Sequence, residues 1–317
     1  MTDATLDLHG IIPPVSTPLT SDGEVAIDDL RNLLDFQLNA GVHGLFMLGS
    51  TSEAIGLTDA QQETVIATAI EHVAGRVPVL AGVIDFTTRR VIDRARRAAA
   101  LGVDGLVSCA PFYIKPSQAE VVRHFEQIRA AIDLPVMAYD IPGAVQTKIE
   151  RPTLRTLARS GAIVGMKDSS GQEANFRGVV LDNQDLPDFR IFTGSELMTD
   201  VALGFGAHGC VPGLGNVDPA GYVRLYKASR AGDAATVRAE QDRLYRLYSI
   251  TKVATRPEIG HSAAAWGSFK VALKLRGIIQ HAGPTAPMSP LTADEEVAIA
   301  AILEEAGLLA PAPAAIG

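Results

Sequence analysis

Cysteine is nearly absent from this chain: Cys109 and Cys210 are the only two in 317 residues. Neither stands in a metal-ligand spacing. Each follows an apolar run and reads as a small core residue in a reducing compartment. The histidines His43, His208 and His261 also lack metal-ligand spacing, which argues against metal-assisted chemistry. Excess positive charge is missing too. The formal net charge is −8 and the pI is near 5.4, so neither nucleic acid nor an anionic membrane is an expected partner. No apolar stretch is long enough to span a bilayer. Residues 1–10 have no basic region leading into an apolar core, so no signal peptide is expected. These absences point to a cytoplasmic protein that handles small molecules.

What is present is a regular alternation. Short apolar runs, of the kind buried on both faces of a parallel sheet, alternate with amphipathic helical patterns. The opening segment 11–18 is extended, because its prolines forbid a helix interior. Strands are expected at 43–48, 78–81, 105–108, 135–139, 163–167, 190–193 and 209–211. Helices are expected between them, the first over 27–40 with Leu30, Leu33, Leu34 and Leu38 on one face. A weak repeat marks three helix-to-strand joints, at Gly41 and Gly44, Gly102 and Gly105, and Gly206 and Gly209. With the opening segment, eight strand–helix units result, the number in a (β/α)8 TIM barrel. The alternative, a doubly wound open sheet, lacks support because no Gly-x-Gly-x-x-Gly follows the first strand. The expected organisation is a barrel over 1–232, a three-helix C-terminal extension over 233–309 and a disordered Pro/Ala-rich tail over 310–317.

Active sites of such barrels lie at the C-terminal ends of the strands. Those ends carry Ser50 and Thr51, Tyr139, Lys167, then Gly194, Ser195 and Glu196, and Val211. Lys167 is expected at the last position of its strand. A lysine in an apolar pocket is favoured in its neutral form, which attacks carbonyls. A stem that carries the charge past the strand end to water would explain it equally on local grounds. Tyr139 ends the preceding strand, and neighbouring strands lie roughly 4.8 Å apart. A phenol and an amine there can reach one substrate, with the phenol shuttling protons. A core tyrosine with a satisfied hydroxyl is the competing reading. The turn Gly49-Ser50-Thr51-Ser52-Glu53 offers hydroxyls and inward N–H groups as a carboxylate nest, although hydroxyl residues also cap helices. Glu53 is expected to hydrogen-bond that turn. The turn 213–216 has no lysine or arginine to make it a phosphate site.

Gly49-Ser50-Thr51-Ser52-Glu53, Pro111-Phe112-Tyr113, Tyr139-Asp140-Ile141-Pro142 and Gly165-Met166-Lys167-Asp168 together resemble the dihydrodipicolinate synthase/N-acetylneuraminate lyase family. The resemblance runs from about residue 10 to residue 309. It implies a (β/α)8 barrel with a C-terminal helical extension and a class I lyase that forms a Schiff base with pyruvate or another 2-oxo acid. It implies no metal or organic cofactor. By this resemblance Lys167 is the Schiff-base lysine and Tyr139 the general acid/base. Ser50 and Thr51 hold the 2-oxo acid carboxylate. Tyr113 is a relay tyrosine that, in homotetrameric members, reaches the neighbouring subunit's site.

Two departures bear on the substrate. Ser52 replaces the family glycine before the glutamate of the turn. Members that make dihydrodipicolinate resemble Tyr-Asn-x-Pro-x-Arg-Thr-Gly after the tyrosine, and their arginine clamps the second substrate's carboxylate. This chain has Ala144 at that position, and a lost guanidinium removes a charge-assisted hold. Lys148 lies four positions on and substitutes only if its loop folds back into the mouth. A hydroxyl-rich aldehyde fits better, with Ser195 and Glu196 placed to accept its hydroxyls. The expectation is a lyase that cleaves or dehydrates a 2-keto-3-deoxy sugar acid, cleavage giving pyruvate and an aldehyde. Dihydrodipicolinate synthesis, sialic-acid-type lysis and a non-catalytic 2-oxo acid-binding barrel are the alternatives.

Overall fold

A computed structural model describes residues 6–310. Eight parallel strands form one sheet: β1 (Gly10–Ile11), β2 (Leu45–Met47), β3 (Val79–Gly82), β4 (Gly105–Cys109), β5 (Val136–Asp140), β6 (Gly165–Asp168), β7 (Arg190–Thr193) and β8 (Gly209–Cys210). Their order is β1-β8-β7-β6-β5-β4-β3-β2. The chain just after β1 also meets β2, since Val15 N donates to Phe46 O at 2.9 Å and Phe46 N to Pro13 O at 3.0 Å. The sheet thus curls with its ends in contact, the arrangement expected of a (β/α)8 barrel. The strands are buried almost throughout, which explains their apolar sequences.

The glycine repeat has a backbone cause. Gly41, Gly102 and Gly206 have φ of +82°, +89° and +104°, the left-handed exit from a helix that a side chain resists. The first helix, Ile27–Asn39, buries Leu30, Leu33, Leu34 and Gln37. Gln37, rather than Leu38, continues the stripe. It stands seven residues from Leu30, and its Nε2 donates to Asn216 Oδ1 at 3.0 Å, while its buried Oε1 has no hydrogen-bond partner among the described residues.

Strand ends differ from expectation by a residue or so. β6 runs to Asp168, so Lys167 is its penultimate residue, because Asp168 still pairs in register with Thr193 and its carbonyl accepts Gly194 N at 2.7 Å. After β5 the chain makes an unexpected short helix, Pro142–Val145, with proline in its first turn. Beyond β8 come helices Pro219–Ala231, Ala234–Leu247, His261–Leu275 and Ala293–Glu305. The last buries Ile299 and Leu303. Residues 311–317 of the expected tail lie outside the described residues. No helix among the described residues is long and apolar enough to cross a membrane.

Candidate active site

Tyr139 and Lys167 occupy paired register positions on β5 and β6. Lys167 is only 5% exposed, which removes the solvent-reaching alternative. Its Nζ lies 4.2 Å from the centroid of the Tyr139 ring and 5.4 Å from that of Phe46. Its side chain shares an apolar pocket with Ile12, Phe46, Leu80, Val107, Met137 and Val211. The two aromatic rings meet edge to face at 6.3 Å, which fixes the phenol beside the amine.

The Tyr139 hydroxyl lies 3.4 Å from Ser50 Oγ, so the lysine, the phenol and the hydroxyl turn form one connected group. Within that turn Glu53 N donates to Ser50 O at 2.9 Å and Gly49 N to Ser52 Oγ at 3.1 Å. This leaves the N–H groups of Ser50 and Thr51 without a partner among the described residues. Ser52 Oγ donates to Val15 O at 2.5 Å, and Thr17 Oγ1 donates to Ser52 O at 2.8 Å. Ser52, where the resemblance expects glycine, therefore ties the turn to the segment after β1. Glu53 does not bond its own turn through its side chain. Its carboxylate reaches Thr285 and Lys270 instead.

Gly194 is packed against the lysine: a Cβ there would overlap Ser169 Oγ and come within 3.0 Å of Lys167 Cε. Ser195 N donates to Thr193 Oγ1 at 3.0 Å. Glu196 Oε1 accepts Gly213 N at 2.8 Å. Burial pushes the Glu196 carboxyl up, opposed by hydrogen bonds from the backbone and by the charge of Lys167. A Cβ on Gly213 would lie 2.9 Å from Glu196 Oε1 and 3.3 Å from Thr51 Oγ1. Glycine at 213 thus lets the strand 8 loop pass between the glutamate and the hydroxyl turn. Val211 is buried and lines the lysine pocket.

Tyr113 stands apart from this group. It is 93% exposed with φ of +72°, and its ring contacts Phe86. No hydrogen bond connects it to Ser50 or Tyr139 within the chain. A left-handed tyrosine costs roughly 1–2 kcal/mol.

Sequence reasoning named Lys148 without its partners and left a second feature unread. Lys148 folds back, but onto carboxylates: it forms an ion pair with Asp140, and its Nζ lies 3.7 Å from Asp168 Oδ2. Burial raises the Asp140 carboxyl, while Lys148 and Ile149 N act the other way. The Asp at 140 and the Asp at 168 each directly follow a site residue, which was the available signal. The other feature is Lys270. It lies in the run Phe269-Lys270-Val271-Ala272-Leu273, where a lone charge among apolar residues signals a buried partner. No cluster of potential metal ligands is found among the described residues.

Residues 7–306 match the Dihydrodipicolinate synthetase family. An uncharacterised DapA-like lyase of Halobacterium salinarum is 33% identical over 305 residues, 96% of each chain. A 4-hydroxy-tetrahydrodipicolinate synthase of Methanoculleus marisnigri is 34% identical over 251 residues, 78% of this chain and 86% of its own. Among solved structures, YagE has a TM-score of 0.89 at 31% identity, covering 95% of this chain and 99% of its own. It is described as a prophage protein of E. coli K12 belonging to the dihydrodipicolinic acid synthase family, in complex with pyruvate. With a lysine, a tyrosine and a hydroxyl turn gathered at the strand ends, the chain belongs to the dihydrodipicolinate synthetase family and is a Schiff-base-forming class I lyase.

Proposed function

We propose that this chain is a closed (β/α)8 barrel with a C-terminal helical extension that cleaves or dehydrates a 2-keto-3-deoxy sugar acid through a Schiff base at Lys167. The observation that carries the chemistry is the contact of Lys167 Nζ with Tyr139, whose hydroxyl adjoins Ser50. Nζ attacks the 2-oxo carbon and water leaves, giving an imine; Tyr139 moves the protons. The substrate carboxylate is held by the Ser50 and Thr51 hydroxyls and N–H groups. In cleavage, the C4 hydroxyl loses its proton and the C3–C4 bond breaks. Its electron pair passes into the iminium, giving an enamine and releasing the aldehyde. Protonation at C3 and hydrolysis then return pyruvate and free Lys167. In dehydration, a C3 proton and the C4 hydroxyl leave instead. The pyruvate bound to YagE supports a 2-oxo acid partner.

Substrate choice rests on Lys148. With Ala144 in the loop and Lys148 engaged by Asp140 and Asp168, the loop offers no free cation to a second carboxylate. Ser195 and Glu196 Oε2 offer polar groups to hydroxyls. The relatives named 4-hydroxy-tetrahydrodipicolinate synthase favour the second reading, condensation with aspartate semialdehyde. The exposed Tyr113, Ile114 and Phe86 support a homo-oligomer, which we assign as a homotetramer with Tyr113 relaying protons between subunits. Both cysteines are free and buried, in keeping with a cytoplasmic setting. Borohydride reduction with pyruvate should add one pyruvyl group at Lys167, and Lys167→Ala should lose both adduct and turnover. An adduct on another lysine would overturn the assignment.

A further inference from the structure

Glu53 closes the turn that carries Ser50 and Thr51, and it does so in a strained conformation. Its φ is +57°, a left-handed value that a residue with a side chain adopts only when held there. The holding groups come from the far end of the sequence. Glu53 Oε2 accepts Thr285 N at 2.6 Å and Thr285 Oγ1 at 3.0 Å. Oε1 lies 2.5 Å from Lys270 Nζ, which also donates to Gly283 O at 2.9 Å. The Lys270 and Glu53 side chains are 1% and 0% exposed.

A fully buried ion pair is a poor way to glue a helix to a barrel. Desolvation of both charges consumes most of their attraction, and packed apolar side chains do as well. What such a pair adds is a fixed position for each partner. At the Glu53 end, that position is the hydroxyl turn. The barrel already grips one side of this turn, through Ser52 with Val15 and Thr17. The extension grips the other.

We propose that Lys270 is a positioning residue of the 2-oxo acid site, and that helix His261–Leu275 with Thr285 sets the carboxylate-binding turn through Glu53. The proposal rests on the assignment of Ser50 and Thr51 as the carboxylate nest and of Lys167 as the imine-forming lysine. With the turn loosened, the lysine still reacts but the carboxylate is held less well. The defect then falls on KM and on pyruvate affinity more than on kcat.

The test is borohydride trapping of the full-length enzyme over a range of pyruvate concentrations, with thermal melting in parallel. In Lys270→Met, half-maximal trapping should need at least tenfold more pyruvate, while trapping at saturation stays at one adduct per chain. Thr285→Val keeps the shape and removes one donor to Glu53; a rise of about threefold is expected. This milder variant decides the matter if Lys270→Met does not fold. A lowered melting temperature with unchanged half-saturation would make the pair purely structural and overturn the proposal. If the unaltered enzyme forms no adduct, the 2-oxo acid reading falls and takes this inference with it. If the unaltered enzyme is trapped and both variants match it, only this inference falls.

Discussion

Lys167 Nζ lies 4.2 Å from the centroid of the Tyr139 ring, and the two residues are register partners on adjacent strands. The ring face and the hydroxyl therefore serve the amine differently. The face packs against it; the hydroxyl, 3.4 Å from Ser50 Oγ, is the group able to carry a proton. Tyr139→Phe separates the two, because the ring remains. Turnover should fall about 10²–10⁴-fold, the usual worth of a positioned acid/base, while the melting temperature changes little. An unchanged rate would leave Tyr139 as a packing residue.

Assembly gives a second test. Tyr113 is strained, exposed and unconnected to the site of its own chain. A role across a subunit boundary would account for all three features. Tyr113→Phe should lower turnover without unfolding. Specific activity should fall on dilution as sedimentation shows the assembly dissociating. A fully active monomer would end the cross-subunit assignment.

Buried His124 makes acid stability predictable. Burial lowers its pKa from 6.5 to about 4, partly countered by its hydrogen bond to Cys109 O. Its other nitrogen meets Thr88 Oγ1 at 2.9 Å, so the neutral ring suits both partners. The unfolded chain takes up this proton below pH 6.5, but the folded chain does so only near 4. Stability present above 6.5 is thus lost as pH falls through that window, by roughly 3 kcal/mol at full effect. Melting followed from pH 7.5 to 4 should show the loss. His124→Gln should start less stable yet lose less, and parallel curves for the two proteins would contradict this account.

The sequence displayed some of these features and hid others for physical reasons. Tyr139 and Lys167 were legible because a buried parallel strand is apolar along its length, so a polar residue at its end stands out. Thr58, Ser117 and Thr292 each cap a helix with Gln or Glu three residues on, a local signal that sequence reasoning left unused, and all three form capping boxes. The helix Pro142–Val145 has one turn, too short for any periodicity to register. The link from Glu53 to Thr285 spans 232 positions, and no local pattern encodes it. Lys148 was visible as a nearby charge, but its partners depended on how the loop closes. Asp140 and Asp168 face each other only once β5 and β6 pair.

That pairing decides the substrate prediction. By the family resemblance, dihydrodipicolinate synthesis uses a cation to hold the carboxylate of aspartate semialdehyde. Ala144 has none to give, and freeing Lys148 would strand the buried Asp140 and Asp168 carboxylates without their counter-ion. The enzyme should therefore turn over a 2-keto-3-deoxy sugar acid far better than it condenses pyruvate with aspartate semialdehyde. Glu196 should contribute on the sugar side. Its Oε1 is committed to Gly213 N, which leaves Oε2 for a substrate hydroxyl. Glu196→Gln keeps an oxygen for Gly213 but puts a donor amide where Oε2 accepts, and a buried polar group left without its partner costs about 1–3 kcal/mol. kcat/KM for the sugar acid should drop about tenfold or more, whereas pyruvate trapping at Lys167 stays nearly intact because Gln still accepts Gly213 N and leaves the Ser50–Thr51 turn in place. Steady-state kinetics with both substrate pairs, run beside the trapping assay, read these effects independently. Efficient use of aspartate semialdehyde would show that another cation reaches the mouth, and unaltered sugar-acid kinetics in Glu196→Gln would remove the hydroxyl contact.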